Sequence, residues 1–170
     1  MQNVVEPFPF VYKVNKVTRI VDGDTIDVIF DLGFDVMYAG RVRLAGIDTP
    51  ESRTRDKEEK VFGKLAGAYL TKHINEAKRI TIKTEYEDAK GKFGRVLGQV
   101  WCDGVNINAK MVDEHYAVAY HGQNKADVEA EHLKNRIILK EAGGFVNFFE
   151  EDINSPLKKN ILATNSSIHE

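Results

Sequence analysis

Hydrophobic and polar positions alternate along the first half of the chain, which is the pattern of β-strands with one buried face. Five strands are predicted, at 10–21, 25–30, 41–44, 80–85 and 96–101. Asp-Gly at 22–23 and Asp-Leu-Gly at 31–33 interrupt the first strands with residues that favour turns. In the third strand Arg41 and Arg43 alternate with two apolar residues, so both arginines are expected on the face opposite the core.

Apolar residues recur at helical spacing in three later segments. A first helix is predicted between Glu58 and Lys78, a short second one near 107–114, and a third at roughly 126–142. The paired glycines at 143–144 end the third helix, because glycine is a poor helix former and a good C-terminal cap. The predicted apolar stripe of this helix has four members: Ala126, Ala130, Leu133 and Ile137.

Five strands with a helix inserted before the fourth, followed by two more helices, predict an α+β fold. We interpret the pattern as a five-stranded OB-type Greek-key β-barrel with three α-helices, which on pattern alone is one option among several mixed folds. The 170 residues suit one domain at 10–144, with an N-terminal extension at 1–9 and a C-terminal tail at 145–170.

The formal net charge of −2 argues against a protein that coats nucleic acid with a global positive field. It leaves room for an enzyme whose field is local to a metal ion and a few arginines. Cys102 is the single cysteine, which excludes an internal disulfide, and we expect it to be buried. No signal-peptide pattern and no apolar run long enough for a bilayer is present, so a cytoplasmic protein without a membrane is expected. A chain trimmed of a leader would show the same pattern.

Three short motifs concentrate the charged residues that suit phosphate chemistry. Asp-Gly-Asp-Thr stands at 22–25, Arg43 precedes Asp-Thr-Pro-Glu at 48–51, and Lys-Phe-Gly-Arg stands at 92–95. Carboxylates at strand ends can converge on a hard cation such as calcium, and the fork of an arginine pairs with two phosphate oxygens. Each motif alone is more commonly a turn, a loop that opens a helix, or a hairpin with solvated charges.

Together, in this order and at this spacing, the three motifs resemble the staphylococcal nuclease family, and the resemblance continues to about Ala142. It implies an OB-type barrel with a site at its flank. It also implies a calcium-dependent endonuclease that acts on DNA, RNA or both and leaves 3′-phosphates. One calcium ion would be bound by Asp24, Asp48 and the backbone carbonyl of Thr49. We expect a monomer.

The resemblance also assigns roles to the remaining site residues. Glu51 matches the acid that orients or deprotonates the attacking water, and which of the two it does stays open. Arg43 and Arg95 match the phosphate-binding arginines, and Asp22 matches an acid beside the metal. The substrate-binding candidates are Lys92, Phe93 and Tyr120.

Some features depart from the family's pattern. Phe93 stands where tyrosine is usual, which predicts weaker ground-state binding of substrate. The stretch 30–41 is longer than the second hairpin expected in the family. The family's nucleotide pocket has a second tyrosine, and none could be placed after Tyr120. The rival hypothesis is an OB-type domain that binds nucleic acid or protein without cutting it. Because every expected catalytic position is filled, the enzyme hypothesis is favoured.

Overall fold

A computed structural model describes residues 10–84 and 94–143 of the chain. Its strands are β1 (Phe10–Asp22), β2 (Thr25–Asp31), β3 (Met37–Leu44), β4 (Ile47–Asp48), β5 (Ile80–Thr84), β6 (Val96–Cys102), β7 (Val105–Asn106) and β8 (Val118–Ala119). Its helices are α1 (Lys57–Glu76), α2 (Ile107–Asp113) and α3 (Lys125–Glu141). The predicted domain limits lie at or beyond the edges of the described residues and stay predictions.

The five long strands form a closed barrel. Neighbouring strands pair in the order β3-β2-β1-β5-β6, and β7 adds to β6 as a short hairpin. β3 also pairs in parallel with β6, where Val42 lies opposite Val96 and Leu44 lies opposite Gly98. This parallel pairing joins the two ends of the sheet. The predicted α+β fold, a five-stranded OB-type barrel with three helices, is confirmed.

The barrel interior is filled by alternate residues of the strands, as the period of two predicts. Six of its members are fully buried: Ile26, Val28, Val42, Leu44, Ile82 and Val100. α1 adds Ala66 and Leu70 to this core, and α2 adds Ile107 and Met111. Cys102 is buried as expected, and burial raises the pKa of its thiol to about 11, which keeps it unreactive. None of the described helices is long and apolar enough to cross a membrane.

α3 occupies the predicted segment but turns a different face to the protein. Its buried residues are Val128, His132 and Arg136. Leu133 and Ile137 are 47% and 57% exposed, so the predicted stripe, which also contained the exposed Ala126 and Ala130, is wrong. The buried face instead carries His132, which contacts the Asp48 carboxylate, and Arg136, which packs on the Phe62 ring, so two polar residues occupy positions where apolar ones were expected.

The buried arginine of α3 illustrates this packing. The guanidinium carbon of Arg136 lies 5.8 Å from the centre of the Phe62 ring of α1, a cation–π contact. Asn135 of α3 donates from its side-chain amide to the carbonyl oxygen of Ala117 at 3.0 Å. α3 is therefore held by several separate contacts along its length.

α1 lies against the loop that follows β4 at a contact that only glycine permits. A Cβ at Gly63 would lie 2.6 Å from backbone atoms of Glu51 and Ser52, and 2.7 Å from the carbonyl oxygen of Pro50. Backbone atoms cannot swing aside as the end of a side chain can. The helix therefore packs directly on the backbone of Glu51 and fixes its position.

We expect Gly63→Ala to destabilise the protein and Gly67→Ala, four residues along the same helix, to stabilise it. Both substitutions gain up to about 1 kcal/mol of helix propensity. Only at Gly63 does the new methyl group overlap backbone, at a cost of about 1–3 kcal/mol, whereas a Cβ at Gly67 meets nothing within 4 Å. Urea unfolding of both variants measures the difference, and equal stabilisation by the two would contradict the expectation.

Candidate active site

A cleft of about 850 Å³ opens on the flank of the barrel. β1, β2, the turn between them, β3, β4, the loop that α1 supports and the residue before β6 all contribute to its lining. Six of the residues that the sequence predicts as site residues lie in this lining: Asp22, Asp24, Arg43, Asp48, Glu51 and Arg95. Residues that are distant in sequence thus converge on one volume.

Asp24 lies between β1 and β2 and is bonded on both carboxylate oxygens. Oδ1 accepts a hydrogen bond from the hydroxyl of Thr25 at 2.9 Å, and Oδ2 accepts one from the backbone N–H of Thr49 at 3.3 Å. Arg43 Nη2 lies 3.1 Å from Oδ2. Burial raises the pKa of the Asp24 carboxyl, although the Arg43 charge beside it acts in the opposite direction.

The contact between Asp24 and Thr49 depends on the glycine of the turn. A Cβ at Gly23 would lie 2.8 Å from the Cβ of Ala66 and 2.9 Å from the hydroxyl of Thr49. The turn therefore packs tightly against both α1 and the segment after β4. Thr49 is buried there, next to the aspartate with which it was predicted to share a cation.

Arg43 of β3 joins the elements of the site. Its Nη1 donates to the carbonyl oxygens of Leu44 at 2.8 Å and Ile47 at 2.9 Å. Its Nη2 lies between the two predicted metal ligands, 3.1 Å from Asp24 Oδ2 and 3.3 Å from Asp48 Oδ1. The side chain is only 16% exposed, so the guanidinium is held in one place between the two carboxylates.

Glu51 lies in a negative environment. Partial burial raises the pKa of its carboxyl, and the neighbouring charges of Asp22, Asp24, Glu59 and Asp48 raise it further. A carboxylate with a raised pKa is a stronger base, which suits a group that accepts a proton from water.

Asp48 has a partner that the sequence did not reveal. His132 of α3 places Nε2 2.8 Å from Asp48 Oδ2, across a sequence separation of 84 residues. The sequence alone assigned His132 no role. Its helical spacing with Val128 and Arg136 is consistent with one buried face of α3, but this spacing cannot identify Asp48 of β4 as the partner.

Of the other predicted site residues, one lines the cleft, one does not, and two lie outside the described residues. Arg95, directly before β6, lines the cleft. Tyr120 follows β8, is 43% exposed and donates its backbone N–H to the carbonyl oxygen of Gly46 at 2.8 Å. Tyr120 is not among the residues that line the cleft. Lys92 and Phe93 lie outside the described residues.

The donor atoms at the site are oxygens, which suit a hard cation such as calcium better than zinc. Within 10–84 and 94–143, no three carboxylate, imidazole or thiol side chains converge into a complete metal site. Asp24 and Asp48 flank Arg43, and a carboxylate that accepts one or two hydrogen bonds keeps lone pairs for a further partner. The arrangement fits a cation held by two side chains, with backbone and water oxygens completing its shell.

Comparison with known proteins decides the family. The family described as staphylococcal nuclease homologue matches residues 41–139, which is more than half of the chain. The chain belongs to the staphylococcal nuclease family. The match contains Arg43, Asp48, Glu51 and Arg95, and the fold brings Asp24, which lies before it, into the same cleft. Membership of the staphylococcal nuclease family supports a nuclease class of activity.

Curated relatives agree with this family. The thermonuclease of Staphylococcus intermedius is 33% identical over 127 residues, which cover 74% of this chain and 67% of that protein. Endonuclease YhcR of Bacillus subtilis is 36% identical over 110 residues, which cover 61% of this chain but only 9% of that protein. Protein ParB of Escherichia coli is 34% identical over 139 residues, covering 75% and 70%.

We expect Glu51→Gln to raise the melting temperature at pH 7 in EDTA. Because the folded-state pKa of Glu51 is raised above 4.5, ionising this group weakens the fold as the pH rises through that folded pKa. The gain should therefore vanish below about pH 4.5, where the carboxyl is protonated in both states. Thermal melts at pH 4 and pH 7 measure it. Glu129→Gln, which neutralises an exposed acid of α3, is the control, and an equal gain from it would contradict the local explanation.

Proposed function

We propose that the chain is a calcium-dependent nuclease that hydrolyses phosphodiester bonds in DNA, RNA or both. The observation that carries the proposal is a single cleft in which Arg43 and Arg95 lie with Asp24, Asp48 and Glu51, in a barrel of the staphylococcal nuclease family. A phosphodiester is an anion that repels a nucleophile, so cationic groups and a nearby base are what its hydrolysis requires.

Asp24, Asp48 and the backbone carbonyl of Thr49 are the residues that would hold calcium. The bound ion would supply positive charge to the phosphate and to the charge that develops on it. This proposal is supported by the carboxylate and carbonyl oxygens present and by the partly buried hydrogen bond from the Thr49 N–H to Asp24.

The two arginines bind the phosphate oxygens. Arg43 is suited to this role because its hydrogen bonds to the carbonyls of Leu44 and Ile47 hold the guanidinium before substrate arrives. A donor that needs no reorganisation stabilises developing charge at little cost. Arg95 contributes a second positive charge from the start of β6, at the same cleft.

Glu51 accepts the proton of the attacking water as the water oxygen bonds to phosphorus. The bond from phosphorus to the 5′ oxygen breaks, the departing oxygen takes a proton from solvent, and a 3′-phosphate and a 5′-hydroxyl result. The raised pKa of Glu51 supports the role of base. Internal cleavage is supported by relatives named endonuclease, and the 3′-phosphate by the family resemblance. We propose that the active form is a monomer.

Cleavage of an internally labelled single-stranded DNA tests the proposal. We expect cutting in calcium, none in EDTA, and a fall of about 10²–10⁴-fold for Glu51→Gln, the range typical of a lost general base. Glu129→Gln should retain the full rate. Product 3′ ends should resist polymerase extension until a phosphatase is added.

Full activity in EDTA would contradict the metal mechanism. Tight binding of DNA and RNA without cutting of either would favour the alternative, a non-catalytic OB-type binding module. Products with 3′ ends that extend directly would contradict the assigned direction of bond cleavage.

Arg43→Lys should lower kcat by about 10²–10³-fold, because lysine cannot reproduce the several directed bonds of the guanidinium. Arg41→Lys, two residues along the same strand and in the lining of the same cleft, is the matched control, because Arg41 contacts Asp27 and not the predicted metal ligands. Arg41 is bonded to Asp27 through two contacts, Nε–Oδ1 at 2.6 Å and Nη2–Oδ2 at 2.9 Å. We expect a change of no more than a few-fold there. Steady-state kcat and KM of both variants measure the difference, and equal losses would contradict a specific role for Arg43.

A further inference from the structure

His132 contacts the predicted calcium ligand Asp48 directly. The histidine is on α3, is 9% exposed, and places Nε2 2.8 Å from Asp48 Oδ2. An ionised carboxylate only accepts hydrogen bonds, so Nε2 carries the hydrogen in this contact. The contact joins the last helix of the described domain to the short strand β4.

The contact matters because, among the described residues, Arg43 and His132 are the two side chains bonded to the Asp48 carboxylate. β4 pairs with β8, where Asp48 lies opposite Val118, and this pairing fixes the backbone of Asp48. The final torsion of an aspartate side chain has a broad preference and is not fixed by the backbone. Arg43 bonds Oδ1 at 3.3 Å and His132 bonds Oδ2 at 2.8 Å, so each oxygen has one donor that orients it.

The other ring nitrogen of His132 shows that the residue is not simply packing. Nδ1 is buried and makes no hydrogen bond to the described part of the chain. A buried polar atom without a partner costs free energy, and an apolar side chain of similar size would avoid that cost. The hydrogen bond to Asp48 is therefore the feature that distinguishes histidine from an apolar residue at this position.

We propose that His132 is a positioning residue that orients Asp48 for calcium, an inference that rests on the proposed calcium site. Two effects of the hydrogen bond compete. Donation to the carboxylate draws charge from it and weakens its attraction for a cation, whereas a fixed orientation saves the cost of ordering it. Loss of a hydrogen-bonding partner of a metal ligand typically costs about 10–100-fold in metal affinity, so orientation is the larger effect.

Calcium affinity, measured by titration calorimetry without substrate, separates this role from a structural one. His132→Leu keeps an apolar body and removes the donor, and His132→Gln keeps a donor near the position of Nε2. We expect a dissociation constant raised about 10–100-fold in the leucine variant and within a few-fold of wild type in the glutamine variant.

Asn135→Leu is the matched control, since it removes a different contact of the same helix, the bond to the carbonyl of Ala117. This variant should lose stability in urea without a change in calcium affinity. His132→Leu should remain folded in EDTA, because Arg136, Val128 and Asn135 still hold α3. At saturating calcium, its KM for DNA should stay near that of wild type, since Arg43 and Arg95 are intact.

The calcium affinities distinguish the positioning role of His132 from the calcium site itself. Unchanged calcium affinity in His132→Leu, with binding intact in wild type, overturns the positioning role alone. Equal losses of affinity in the leucine and glutamine variants also overturn it, because the donor would then not be the cause. A wild-type chain that binds no calcium overturns the calcium site and this inference together.

Discussion

The hydrogen bonds of Arg43 are the constraint on which the rest of the site depends. One nitrogen of the guanidinium holds the carbonyls at the end of β3 and in β4, and the other lies against Asp24 and Asp48. Two carboxylates that share a partly buried cleft repel each other, and a single positive charge between them offsets that repulsion. Its rigid fork also contributes to the direction in which both acids point, so the same residue contacts the backbone and the charges.

Close backbone packing also holds the segments of the site in position. Gly23 and Gly63 let the β1–β2 turn and α1 approach the segment from Thr49 to Ser52 within distances that a side chain would forbid. Glu51, whose carboxyl has four acidic neighbours, lies on that segment. The fold therefore supports a charge distribution that is unfavourable for stability, which is common where chemistry requires it.

Local signals predicted the elements that are long enough to show a period, and contacts between distant residues decided the rest. The five long strands and three helices follow from alternation and helical spacing, except that the first half of β3, residues 37–40, was not predicted. β4, β7 and β8 are two residues each, so no period can reveal them. The motifs predicted which acids and arginines would meet, because a family resemblance carries tertiary information. His132 was missed because its partner, Asp48, lies in a strand that no pattern links to α3.

The parallel pairing of β3 with β6 is the contact that closes the barrel. Until Val96 reaches Val42, β3 is an open edge, and the barrel has no closed interior. Arg95 directly precedes β6, so the strand that closes the barrel also brings the second arginine to the cleft. A nascent or truncated chain that ends before β6 thus has neither a finished core nor a paired set of phosphate-binding charges. Closure of the barrel and the pairing of the two arginines therefore both depend on β6.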